Sequence, residues 1–176
     1  ALSTPELIAF KYACAYVGAI TVHLNFMEDK NEMYNHIKRF NPSMIMFLDI
    51  LEPSISEVLN EKEFASIKKL RLPINNSTPI VNIDRLKVAL FKLNNRLHNN
   101  NVNNAIDLKD FITYGEYYKR RLESVYEPGL ASNIALSSGT TGESKAILLS
   151  HDANNALAKQ HEIADLGLQR GDRDLA

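Results

Sequence analysis

The sequence predicts an α/β fold, a mainly parallel sheet flanked by helices, with a strand–loop–strand hairpin. Three observations predict it. Short apolar runs alternate with stretches whose apolar residues recur at helical spacing: "AITVHLN", then "EDKNEMYNHIKRF", then "SMIMFLD". Two further apolar runs, "SNIALS" and "AILLS", stand on either side of a connection rich in glycine and hydroxyl side chains. With 176 residues, 45% of them hydrophobic and 23% charged, the chain can bury a real core.

Each element has a local cause. "STPE" opens a helix: Ser3 or Thr4 can cap it, Pro5 suits its first turn, and Glu6 favours the positive end of its dipole. Leu7, Ile8, Phe10, Lys11, Ala13, Cys14 and Val17 give that helix a mostly apolar face, and Gly18 stops it. Residues 19–25 follow as a buried strand. In the second helix, over 28–40, Met33, Ile37 and Phe40 recur at helical spacing, and Asn41-Pro42 ends it. "SMIMFLD" is the second strand, with Asp49 at its C-terminal end. Residues 52–70 read as helical in two pieces, and "TPIVNI" reads as a third strand.

Residues 85–97 are amphipathic and predict a helix. "NNRLHNNNVNN" is Asn-rich and predicts an exposed loop, because short amides compete with regular backbone pairing. "DLKDFITYGEYYKRRLE" predicts one helix or two short ones, with Phe111, Tyr114 and Tyr118 on one side. "YEPG" is a turn, and "HDANNALAKQHEIADLG" is a helix closed by Gly167. No repeat and no linker divides the chain, so residues 1–176 are expected to be part of one domain, truncated at both ends.

Composition excludes several functions. A net charge of −1 gives no general attraction for nucleic acid or anionic membrane, so any phosphate must be held at a local site. No apolar run is long enough for a transmembrane segment, and the first residues lack the basic start of a signal peptide. Cys14 is the single cysteine, so no internal disulfide forms, and a packed thiol in a cytoplasmic protein is expected. His23, His36, His98 and His161 show no metal-ligand spacing and no nucleophile partner.

The densest stretch is "IALSSGTTGESKAILLSH". Gly139 and Gly142 let the backbone take positive φ and approach a ligand closely. Successive backbone N–H groups can then make a concave anion site. Ser137, Ser138, Thr140 and Thr141 add hydroxyl donors, and Lys145 adds a mobile cation. A flexible polar turn has much the same composition. Two details favour a phosphate loop: the connection is long for a tight hairpin, and its hydroxyls cluster instead of alternating along the strands. The Walker A pattern needs a helix after its Lys, whereas an apolar strand follows Lys145.

This stretch resembles the phosphate-binding signature of the adenylate-forming superfamily, which includes acyl-CoA synthetases, luciferases and peptide-synthetase adenylation domains. Ser137, Ser138, Gly139, Thr140, Thr141, Gly142, Lys145 and His151 match it. Ser144 stands where the family usually has Pro, and Ala146 where it usually has Gly. "TPELIAFKYACAYVGAITVHLNF", "NPSMIMFLD" and "LGLQRGDRDLA" are similar to flanking parts of the same fold, so the resemblance covers nearly the whole chain. It implies part of the large N-terminal domain of such an enzyme, in a style nearest the fatty-acyl-CoA ligases.

The resemblance also implies the chemistry. A small-molecule carboxylic acid attacks the α-phosphorus of ATP, pyrophosphate leaves, and a thiol of coenzyme A or of a carrier then displaces AMP from the acyl-adenylate. Residues 137–145 would wrap the β- and γ-phosphates, Lys145 would offset charge on the leaving group, and the Ser138 hydroxyl would approach Mg²⁺. His151 is expected simply to start a helix. Two look-alikes are rejected on position. "YGEYY" lies upstream of the loop and lacks the family's Thr-Glu, which leaves Tyr114 and Glu116 as helix surface. "RGDRD" follows the loop too soon to be the ribose-binding segment. No catalytic residue of the family falls within these residues, so the segment alone is expected to be inert. Alternatives are an amino-acid-activating adenylation domain, a nucleotidyl or phosphoryl transferase with an atypical loop, and a non-catalytic α/β binding domain with a vestigial loop.

Overall fold

The structure, a computed structural model, describes residues 4–25, 28–74, 93, 101–117, 122–127, 129–137 and 144–164. The expected strand "TPIVNI", the helix over 85–97, most of the Asn-rich run, Tyr118, the helix end at Gly167 and "RGDRD" lie outside the described residues. The chain divides into two compact units, Ala1–Glu6 with Leu24–Arg121, and Leu7–His23 with Leu122–Ala176.

The first unit is built on a parallel sheet of β2 (Met44–Leu48), β3 (Lys68–Leu72) and β4 (Ala105–Asp107), in that order. Met44 pairs with Lys68 and Leu48 with Leu72, and Lys69 to Arg71 pair with Ala105 to Asp107. α2 (Lys30–Phe40) leads into β2. Asp29 caps it by accepting from the Glu32 amide at 2.9 Å, and Asn41 closes it at φ 42° with its amide on the Ile37 carbonyl. The 3-10 turn Asp49–Leu51 and α3 (Glu52–Leu59) carry the chain from β2 towards β3. Met33 and Ile37 of α2 meet Phe47, Ile55, Val58, Leu59, Phe64, Ile67 and Val102 in one buried cluster. Burial of each such side chain is worth roughly 1.5–3 kcal/mol.

One expectation fails in this unit. The second piece of the helix expected over 52–70 is instead the 3-10 turn Lys62–Phe64 followed by β3. Residues 68–72 alternate, with Leu70 and Leu72 buried on one face and Lys69 and Arg71 on the other, and pairing with both neighbours overrides the helical reading. Residues 101–104 of the Asn-rich run lie outside helix and strand, as expected of a loop, although Val102 is buried, and β4, three residues long, follows. α4 (Leu108–Glu116) follows directly with Asp107 at its cap position. Asp107 makes no cap bond, because its Oδ1 receives Arg71 Nη1 at 3.1 Å. Tyr114 and Glu116 are exposed on α4 as expected, and Phe111 is exposed too.

The second unit holds most of α1 (Pro5–Tyr16) and a three-stranded sheet of order β1-β5-β6. β1 is shorter than expected, only Thr21–Val22, and runs parallel to β5 (Ala131–Ser137). β5 runs antiparallel to β6 (Lys145–Ser150), with an irregularity between Ala131 and Asn133. α5 (His151–Ile163) starts at once after β6. The Val125 amide donates to the Tyr16 carbonyl at 2.9 Å, which lays residues 122–127 against the end of α1. Burial pushes the Cys14 thiol up, as a packed thiol requires. No helix among the described residues is long and apolar enough to cross a membrane.

Candidate functional site

The sequence placed a phosphate loop between two strands, and β5 and β6 are those strands. Ser137 is the last residue of β5 and Lys145 the first of β6, paired in register across the hairpin mouth. The Ser137 hydroxyl donates to the Lys145 carbonyl at 3.5 Å. Ser137 is half-buried and Lys145 exposed, and Lys145 has no carboxylate partner among the described residues. A lysine exposed at a strand end can meet an incoming anion. Ser138, Gly139, Thr140, Thr141 and Gly142 lie outside the described residues. Ala146 is exposed and pairs with Leu136, so its methyl group is accommodated in the strand.

The other end of the hairpin is fastened by polar groups. The His151 amide donates to the Leu130 carbonyl at 3.1 Å, extending the pairing by one step. Ser150 Oγ accepts from the Ala153 amide at 3.1 Å and caps α5. Asn154 Nδ2 donates to Oδ1 of buried Asn133 at 2.8 Å. Asp152 Oδ1 accepts from the Tyr126 hydroxyl at 2.7 Å, and its Oδ2 accepts from the Gly129 amide at 2.9 Å. The Tyr126 hydroxyl, the Gly129 amide and the nearby His151 hold the Asp152 carboxyl below the usual carboxylate range. The same hydrogen bond pushes the Tyr126 phenol up. The Tyr126 ring meets the His151 ring edge-on, with centroids 5.9 Å apart.

His151 starts α5, as expected. Sequence reasoning did not connect Asp152 with Tyr126 and Gly129. It saw "YEPG" as a turn and "HD" as a helix start, and no local signal joins groups 23 to 26 residues apart. No cluster of three metal-ligating side chains occurs among the described residues. His36, for which no metal spacing was seen, pairs its Nδ1 with Glu28 Oε2 at 2.9 Å.

No family model and no curated protein matches the sequence. Solved structures do match. An anthranilate CoA ligase in complex with anthranoyl-AMP is 17% identical with a TM-score of 0.64, and covers 98% of this chain and 28% of its own. A red-emitting luciferase from Phrixothrix hirtus is 18% identical with a TM-score of 0.58, and covers 85% of this chain and 24% of its own. The adenylation domain of a carboxylate reductase from Mycobacterium chelonae is 13% identical with a TM-score of 0.59, and covers 84% of this chain and 22% of its own. This chain therefore spans about a quarter of the length of these proteins. It has the fold of part of the N-terminal domain of the adenylate-forming enzymes.

Proposed function

We propose that the chain is a portion of an ATP-dependent, carboxylate-activating ligase, and that residues 137–145 hold the β- and γ-phosphates of ATP. The observation that carries this is the strand–loop–strand setting. Ser137 and Lys145, which has no carboxylate partner among the described residues, flank the mouth of a hairpin whose connection is "SGTTGES". Thr140 and Thr141 supply hydroxyl and backbone donors, Gly139 and Gly142 allow close approach, and Lys145 offsets charge on the departing pyrophosphate. Mg²⁺ keeps most of its ligands from phosphate and water, and the Ser138 hydroxyl adds one neutral oxygen. Such a donor set suits magnesium held mainly by the nucleotide.

The substrate is a small carboxylic acid of the fatty-acyl kind, and coenzyme A is the thiol that accepts the acyl group. Residues 1–176 form a partial N-terminal domain of a cytoplasmic enzyme, and without the remainder they do not turn over. Carboxylate-dependent exchange of labelled pyrophosphate into ATP tests the assignment, run with the full-length enzyme against fatty, aryl and amino acids. Exchange that requires an acid and falls at least about a hundredfold in Lys145→Ala supports it. Exchange supported only by amino acids moves the substrate to the amino-acid-activating class. Exchange indifferent to Lys145 overturns the phosphate-holding role. Adenylate formation by residues 1–176 alone contradicts their inertness.

A further inference from the structure

Building on the phosphate-holding role of the hairpin, we propose that Asp152 is its positioning residue. The carboxylate clasps the turn that precedes β5 to the helix that follows β6, and so fixes the hairpin that presents the loop.

Asp152 is the second residue of α5, near the positive end of the helix dipole, where a carboxylate is favoured. Each of its oxygens has a separate task. Oδ1 takes the hydroxyl of Tyr126, and Oδ2 takes the backbone amide of Gly129. Gly129 stands two residues before β5 at φ 78°, a conformation that turns its N–H onto the carboxylate and that other residues adopt only with strain. A Cβ there would meet nothing within 4 Å, so backbone conformation and not crowding calls for glycine. The clasp therefore joins the approach to β5 with the exit from β6, on either side of the hairpin. His151 and Asn154 add the Leu130 and Asn133 contacts on the same turn of α5. At the loop end, Ser137 and Lys145 share one long hydrogen bond between a side chain and the backbone. Orientation of the hairpin is thus set at its base.

The test is titration of the full-length enzyme with magnesium-ATP at constant salt. Asp152→Ala is expected to weaken binding roughly tenfold, the scale of lost hydrogen bonds to a charged acceptor. Asp152→Asn keeps an oxygen for one donor and is expected to recover most of that loss. Tyr126→Phe is expected to cost about threefold in the native background and nothing further in Asp152→Ala, because the two act through one contact. A purely structural role predicts an affinity loss that follows only the fraction unfolded, with the remaining folded protein binding as the native one does. Wild-type affinity in Asp152→Ala, or additive losses, overturns the proposal. If Asp152→Ala does not fold, Tyr126→Phe alone decides, since it removes one hydroxyl from an exposed ring: unchanged affinity overturns the proposal. If the native enzyme and Lys145→Ala both fail to bind ATP, the phosphate-holding role fails first, and with it the purpose of the clasp.

Discussion

Arg71 grips Glu52 with two nitrogens, Nε at 3.1 Å and Nη2 at 2.9 Å, both on Oε1. The same oxygen accepts the Val102 amide at 3.1 Å, and the third arm of Arg71 reaches Asp107. A nearly buried carboxylate at the start of α3 thus ties β3 to β4 and to the segment before β4. Removing it leaves the guanidinium without its main acceptor and a buried amide without any. Glu52→Ala is expected to cost about 3–5 kcal/mol, and Glu52→Gln less, because one oxygen remains. Urea unfolding of the chain measures both.

Lys69 presents the opposite situation. It is 5% exposed in the middle of β3, and no carboxylate pairs with it among the described residues. Burial lowers its pKa from the ordinary 10.5. The unfolded chain therefore binds more protons than the folded one between the lowered value and 10.5, and stability rises with pH across that window. Lys69→Met should remove this slope and stabilise the protein at pH 7. The difference between wild type and variant should shrink as pH approaches 10.5, read from denaturant midpoints at several pH values.

Tyr126 and Asp152 shift one another in opposite directions. Asp152 titrates below its ordinary 3.8, so the clasp contributes stability above that pH and loses it as pH falls through the lowered value. In Tyr126→Phe the carboxyl should titrate closer to 3.8. Carbon-13 NMR of the Asp152 carboxyl measures the midpoint in both proteins.

Cys14 should react slowly. Burial raises its pKa from 9.0, which lowers the thiolate fraction at pH 8. Alkylation by iodoacetamide is expected to be at least several-fold slower in the native chain than in urea, followed by mass spectrometry.

Much of this architecture was legible because its causes are local. The stop at Asn41 sits beside the helix it bounds, and Met33 and Ile37 recur at the spacing that buries them, whereas the cap at Asp29 was not read. The hairpin was legible because its two apolar strands flank a recognisable connection. What escaped depends on distance along the chain. β3 carries three basic residues in five and becomes a strand only because β2 and β4 pair with it. β4 is too short to show a period of two. Asp107 looks like a helix cap until Arg71, 36 residues earlier, takes its oxygen. The Asp152 clasp brings a turn to a helix start, and neither residue type announces the other.

On the proposal above, residues 137–145 hold the terminal phosphates of ATP. Phosphorus-31 NMR of magnesium-ATP with increasing amounts of the full-length enzyme reads this contact. The β- and γ-phosphorus signals are expected to shift and broaden more than the α signal, and Lys145→Ala to abolish most of the effect. Signals that stay unchanged with excess enzyme, or that change equally in Lys145→Ala, rule out a phosphate-holding role for the hairpin.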